Sequence, residues 1–135
     1  MDYKITTSTG TQIKRTLARD TYRRHLVTSI NNTINAIPAS AFSYTYDNIN
    51  RVTKRNTDTF GYNSRSEVTS ANIASNAYTY NYDAIGNNLQ TSQHSVPTSY
   101  SPNALNQYTS VNTIPFTYDL DGNFFPMVIL FMRMM

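Results

Sequence analysis

The chain has 135 residues and a mass of 15.3 kDa, enough for one domain or one fragment of a larger protein, with a formal net charge of +3 and only 14% charged residues. Thr, Asn and Ser number 19, 16 and 13, against one Glu, four Gly and no Trp or Cys; these three types compete with helical hydrogen bonds, whereas the 11 Tyr and 6 Phe favour strands, which excludes a helix-rich architecture. Without cysteine there is no disulfide framework, thiolate metal site or cysteine nucleophile.

The stretch up to Ala41 alternates loosely. Tyr3-Lys-Ile5 and Gln12-Ile-Lys-Arg-Thr-Leu17 place successive side chains on opposite strand faces. Tyr22–Thr28 reads as a worn copy of the repeat described below, and residues 31–40 form the longest expected connection. Ahead of Val27, Lys4, Lys14, Arg15, Arg19, Arg23 and Arg24 outnumber Asp2 and Asp20. A basic stretch attracts phosphate backbone, but no helix-turn-helix, finger or RNA-binding signature accompanies this one, so a solvated strand face and no nucleic-acid partner are expected. The amino terminus lacks the apolar core of a secretory signal. The longest apolar run, Met127–Met132, is far short of the roughly 20 residues of a membrane helix, so no membrane span is expected.

From Phe42 a period emerges. The copies read Phe42-Ser-Tyr44-Thr-Tyr46-Asp47-Asn-Ile-Asn50-Arg51-Val52, then Phe60-Gly-Tyr62-Asn63-Ser-Arg-Ser66-Glu67-Val68, then Tyr78-Thr-Tyr80-Asn-Tyr82-Asp83-Ala-Ile-Gly86-Asn87-Asn88-Leu89. A degenerate fourth copy, Tyr100-Ser-Pro-Asn103-Ala-Leu-Asn106-Gln-Tyr108, stands out of step, and the fifth is Phe116-Thr-Tyr118-Asp119-Leu-Asp-Gly122-Asn123. Measured on Tyr46, Tyr62, Tyr82, Tyr100 and Tyr118, the steps in sequence number are 16, 20, 18 and 18, which two short strands and their turns would fill. Alternating rings belong on one face of a strand. Asp47, Asp83 and Asp119, each followed three residues later by Asn or Gly, read as turn residues that bond their own backbone. Val52-Thr-Lys, Val68-Thr-Ser and Leu89-Gln-Thr read as return strands. Burying two or three rings per unit falls short of the entropy lost in ordering it, so neighbouring units must pair. The expected fold is all-β, a curved antiparallel sheet of successive hairpins.

These copies resemble the YD repeat of the Rhs family, with its Tyr-x-Tyr-Asp-x-x-Gly-Arg-Leu pattern, firmly over residues 42–123 and weakly over 3–41. The resemblance implies that Tyr44, Tyr46, Asp47, Arg51, Tyr62, Asn63, Tyr80, Tyr82, Asp83, Gly86, Asn87, Tyr100, Asn106, Tyr118, Asp119, Gly122 and Asn123 are structural motif residues. In Rhs proteins, teneurins and toxin-complex subunits many such repeats spiral into a hollow β-shell, which in bacterial members encloses a C-terminal toxin. The implied partners are therefore the remaining repeats and a toxin cargo, the implied location is secreted or at the bacterial cell surface, and open sheet edges imply self-association. Five or six repeats cannot close a shell, so the chain is expected to be a partial wall without cargo. A sugar- or surface-binding module using the face of Tyr44, Tyr46, Tyr78, Tyr80 and Tyr82 is the alternative, and a truncated, non-functional remnant of an Rhs gene is a third reading.

After Asn123 the composition changes to Phe-Phe-Pro-Met-Val-Ile-Leu-Phe-Met-Arg-Met-Met, and residues 124–135 read as an aberrant apolar tail. Back-translated and shifted by two bases, Pro126–Met135 admits Gly- and Asp-rich repeat codons, so the tail is expected to lie out of the Rhs frame; an apolar cap strand is the competing explanation. No enzymatic chemistry is expected. His25 and His94 lack metal spacing, no Gly-x-Ser-x-Gly elbow is present, and Asp119-Leu-Asp121-Gly122 has its glycine two places early for a calcium loop. No cofactor, catalytic residue or metal ligand is expected.

Overall fold

The computed structural model describes residues 3–125, so most of the expected tail, from Pro126 on, lies outside the described residues. All regular structure among them is strand: β1 (Tyr3–Thr6), β2 (Gln12–Arg19), β3 (Val27–Ile34), β4 (Ile37–Tyr46), β5 (Val52–Arg55), β6 (Asp58–Tyr62), β7 (Val68–Ile73), β8 (Asn76–Tyr82), β9 (Asn88–Gln93), β10 (Val96–Pro102), β11 (Tyr108–Val111), β12 (Ile114–Pro115), β13 (Thr117–Tyr118) and β14 (Phe124–Phe125). No helix among the described residues is long and apolar enough to cross a membrane. The chain divides into two compact units, Met1–Ser75 and Asn76–Met135.

In the first unit β1 to β7 pair antiparallel, each with its sequence neighbour. In the second, β8 to β12 do the same, and β13 pairs with β14. Phe124 and Phe125 therefore still continue the hairpin pattern, opposite Tyr118 and Thr117. Two-residue turns close one end of the hairpins. Asn35-Ala36 and His94-Ser95 hold both residues at positive φ, the I′ pattern matched to strand twist. At Asn56-Thr57 and Asn112-Thr113 only the Asn is positive, because the β-branch of Thr makes that region costly. The expected connection over 31–40 is instead strand, turn and strand: Asn31 and Asn32 face Ala41 and Ser40, and the reversal takes two residues. The many Asn and Thr that suggested a loop are ladder residues of an exposed strand.

A bulge recurs on the approach to five of the longer turns, those at Asp20, Asp47, Asn63, Asp83 and Asn103, but not between β13 and β14. The register shifts at Ala18/Arg19, Thr45/Tyr46, Gly61/Tyr62, Asn81/Tyr82 and Ser101/Pro102, each time leaving one extra residue on the returning strand. That residue is Thr28, Thr53, Thr69, Leu89 or Thr109. A further bulge interrupts β3 and β4 between Asn32 and Thr33.

The aromatic periodicity fixes the faces. Along β8, Tyr78, Tyr80 and Tyr82 are half-buried while Ala77, Thr79 and Asn81 are exposed. Tyr44 and Tyr46 of β4 alternate with exposed Ser43 and Thr45 in the same way. Neither unit encloses a conventional core: among the described residues only Leu26 and Ala71 fall below a tenth exposed, at 8% and 7%. Ring packing across the ladder and hydrogen bonds at the turns carry the structure.

Candidate functional site

Five turns share one construction, and a sixth varies it. In the five, an Asp or Asn at position i bonds the chain four residues on, and its side-chain Oδ1 accepts two backbone N–H groups. Oδ1 of Asp47 accepts from Ile49 (3.0 Å) and Arg51 (2.9 Å), that of Asn63 from Arg65 (3.0 Å) and Glu67 (3.1 Å), and that of Asp83 from Ile85 and Asn87 (both 2.9 Å). Asn103 takes Leu105 (2.9 Å) and Gln107 (3.0 Å), and Asp119 takes Asp121 (3.0 Å) and Asn123 (2.8 Å). Position i+3 lies at positive φ throughout: Asn50 at 71°, Ser66 at 67°, Gly86 at 97°, Asn106 at 60° and Gly122 at 81°. Only Gly reaches that region without a steric cost, and Asn tolerates it best among the rest. Asp20 is the variant: it makes the same kind of Oδ1 bonds, to Tyr22 and Arg23, in a loop two residues longer that closes on Leu26.

This places the fourth copy in phase. Asn103 holds the Asp position, Pro102 stands where Tyr46, Tyr62, Tyr82 and Tyr118 stand, and Tyr100 matches Tyr44 and Tyr80. Counted on Asp47, Asn63, Asp83, Asn103 and Asp119, the steps in sequence number are 16, 20, 20 and 16. Counting rings misassigned this copy because Pro replaces the ring.

Residue i+4 closes a second bond whose polarity matches residue i. Where i is Asp, the partner donates to Oδ2: Arg51 Nε to Asp47 at 2.6 Å, Asn87 Nδ2 to Asp83 at 2.8 Å, Asn123 Nδ2 to Asp119 at 3.0 Å. Where i is Asn, the partner accepts from Nδ2: Glu67 at 2.5 Å and Gln107 at 2.9 Å. The bonds around each turn hold the carboxyls below the usual Asp range. The side-chain bond from Asn87 is the main cause at Asp83, the bond from Asn123 at Asp119, and the Arg23 N–H at Asp20. At Asp47 desolvation is the largest single influence and pushes upward, but the Arg51 N–H, the Arg51 side chain and the Ile49 N–H together outweigh it.

Neighbouring turns are stapled together. Arg23 Nη1 donates to the Asp47 carbonyl at 2.7 Å, and Arg51 Nη1 to the Asn63 carbonyl at 2.9 Å while its guanidinium lies 4.6 Å above the Tyr62 ring. In the second unit Asn87 Nδ2 reaches Asn106 Oδ1 at 3.2 Å. Three of the tyrosines that precede an Asp or an Asn reach across the ladder: Tyr46, Tyr62 and Tyr118. Tyr46 donates its hydroxyl to the Val27 carbonyl (2.7 Å), Tyr62 to Val52 (2.7 Å) and Tyr118 to Tyr108 (2.9 Å), in each case the first residue of the preceding return strand. Pro102 has no hydroxyl, and the equivalent strand start, Asn88, instead donates its N–H to Tyr108 Oη at 2.9 Å. The chain pattern predicted the Asp turns; the i+4 pairing, the hydroxyl staples and the recurrent bulge carry no signal in composition or period.

The second unit also holds an open groove of about 450 Å³ over β8, β9 and β10, lined by Tyr78, Tyr80, Thr91, Ser92, Gln93, His94, Val96 and Thr98. The register forms its floor from two cross-strand rows, Tyr80, Thr91, Thr98 and Tyr78, Gln93, Val96. No Asp, Glu, Lys or Arg lines it. Among the described residues no three or more His, Asp or Glu side chains are grouped to hold a metal ion.

No protein-family model and no curated protein matches the chain. Among solved structures it is similar to a chain of the Tc holotoxin pore of Photorhabdus luminescens, in a form with a mutation in TccC3. The TM-score is 0.68 at 14% sequence identity, over 91% of this chain and 8% of that one, so the likeness is one of fold and this chain spans under a tenth of its neighbour's length.

Proposed function

We infer that this chain is a wall segment of an Rhs-type β-shell, with a structural and non-catalytic role. The observation that carries this reading is the turn construction, present in five copies and varied in a sixth, with hydrogen bonds from turn to turn inside each unit, in a sheet without an enclosed core. Such units gain stability from neighbours and not from an interior, and this is what an extended wall requires. The fold likeness to a toxin-complex chain supports the same role. On this reading the partners are further repeats and a toxin cargo, and the site of action is outside the producing cell.

The flanking DNA tests it. A reading frame that continues into further Tyr-Asp turns and then a toxin-coding segment supports the wall role. Flanking frames with no such turns in any phase would sink it.

A further inference from the structure

The turn at Asp119 carries a second aspartate whose side chain the turn construction does not use. Among the described residues, the carboxyls of Asp20, Asp47, Asp58, Asp83 and Asp119 all accept hydrogen bonds. That of Asp121 makes none among the described residues; only its backbone N–H is engaged, with Asp119 Oδ1. Asp121 is also the one Asp followed by Gly, whereas Asp20 and Asp58 precede Thr, Asp47 precedes Asn, Asp83 precedes Ala and Asp119 precedes Leu. We propose that Asp121-Gly122 is a modification site, at which the peptide bond migrates spontaneously from the α-carboxyl to the β-carboxyl of Asp121.

The step is internal to the chain. The Gly122 nitrogen attacks Cγ of the protonated Asp121 carboxyl, a C–N bond forms, and one water leaves to give a five-membered succinimide. Water then adds back at either ring carbonyl, and opening at the α-carbonyl leaves an isoaspartyl residue of unchanged mass, with no oxidant or other reactant consumed. A side chain on the following residue crowds that nitrogen, and Gly has none. In the closed turn the Gly122 N–H is held by the Asp119 carbonyl at 3.0 Å, so this bond must open first. The tip is open to solvent: Asp121 and Gly122 are exposed and Leu120 fully so. Asn63-Ser64, where an amide precedes a small residue, has both polar side-chain atoms bonded.

The product undoes the turn. An isoaspartyl link puts one methylene more into the main chain between positions i+2 and i+3. The ring that Gly122 closes on the Asp119 carbonyl, and Asn123 on Asp119 Oδ1 at 2.8 Å, no longer fits, and the pairing of Tyr118 with Phe124 is released. This inference does not depend on the wall reading.

The test is incubation of the full chain at neutral pH. Isoaspartate is read by enzymatic methyl transfer from labelled S-adenosylmethionine and placed by peptide mapping. Label confined to the peptide that holds Asp121 is expected, with altered Tyr118 and Phe124 amide shifts in the aged fraction. It should accumulate about 3- to 10-fold more slowly than in the chain aged in urea, the value of one hydrogen bond. Gly122→Asn should suppress it and keep the fold, since Asn50 and Asn106 hold the same turn position at positive φ. The proposal is overturned by no label at Asp121, by equal label at the other Asp turns, by undiminished label in Gly122→Asn, or by unchanged shifts in the aged fraction. It is overturned as well by a rate reduced by the full unfolding constant, which would tie the reaction to global unfolding and not to an opened turn.

Discussion

At position i of the turns, the choice between Asp and Asn is governed by the side chain four residues on. Asp faces a donor (Arg51, Asn87, Asn123) and Asn faces an acceptor (Glu67, Gln107). Asn63→Asp therefore sets two carboxylates against each other. Its thermal midpoint should fall at neutral pH and recover as the pH is lowered toward 4, because protonating either carboxylate restores a donor; circular dichroism melts against pH would show it. Asn103→Ala removes the acceptor of two backbone N–H groups and should cost about 1–2 kcal/mol in urea denaturation. For the parent chain the sign is opposite to that of Asn63→Asp. Asp20, Asp47, Asp83 and Asp119 have folded values below the ordinary one, so their contribution is fully present above an unfolded pKa of about 3.9 and is lost as the pH falls through the lower folded values. Melting should be flat from neutral pH to about 5 and drop below about 4. The Asp turns were legible in the sequence because Asx residues with Asn or Gly three places later have a local mechanism. The pairing rule was not, since it depends on which atom of an amide faces inward.

Among elements, the staples from Tyr46, Tyr62 and Tyr118 to the preceding return strand make one hairpin depend on its neighbour. Tyr62→Phe deletes only the bond to Val52 and should destabilise by about 0.5–1.5 kcal/mol with the sheet intact. Pro102→Tyr restores the ring that the fourth copy lacks and should raise the thermal midpoint; a lower midpoint would show that the Asn88 to Tyr108 bond is a full substitute. The aromatic alternation was enough to place β4 and β8 and their faces, because side-chain direction follows period two directly. The returning strands were visible only at their starts, for Thr53, Thr69 and Thr109 are bulge residues whose place outside the ladder register has no counterpart in hydrophobic pattern. Residues 31–40 misled for a related reason: Asn and Thr on an exposed ladder resemble loop chemistry.

As a whole the molecule is a series of near-equivalent hairpins, and this repetition, readable from the tyrosines, is what made the fold class accessible although only Leu26 and Ala71 are buried among the described residues. Deleting Asp83–Pro102 joins Tyr82 to Asn103 in phase and should leave a β-rich, cooperatively melting but less stable chain; an unfolded product by circular dichroism would refute the equivalence of the units. The turn tips are apolar and open, with Ile49, Ile85 and Leu105 at 61%, 71% and 76% exposure. Concentration-dependent association in sedimentation is expected, reduced by Ile85→Lys with Leu105→Lys.

The two spacings between turns, 16 and 20 in sequence number, and the extra bulge at Asn32/Thr33 in the longer hairpin that follows Asp20, have a genetic corollary. Two residues added to both strands preserve parity, so lengthening by four leaves every ring on its original side, whereas a single inserted codon inverts the strand beyond it. An odd insertion survives only where a second irregularity absorbs it, as the bulge between β3 and β4 does. The rim of such a sheet can accordingly rise or fall only by increments of about 6–7 Å, a staircase written into the gene as multiples of twelve nucleotides.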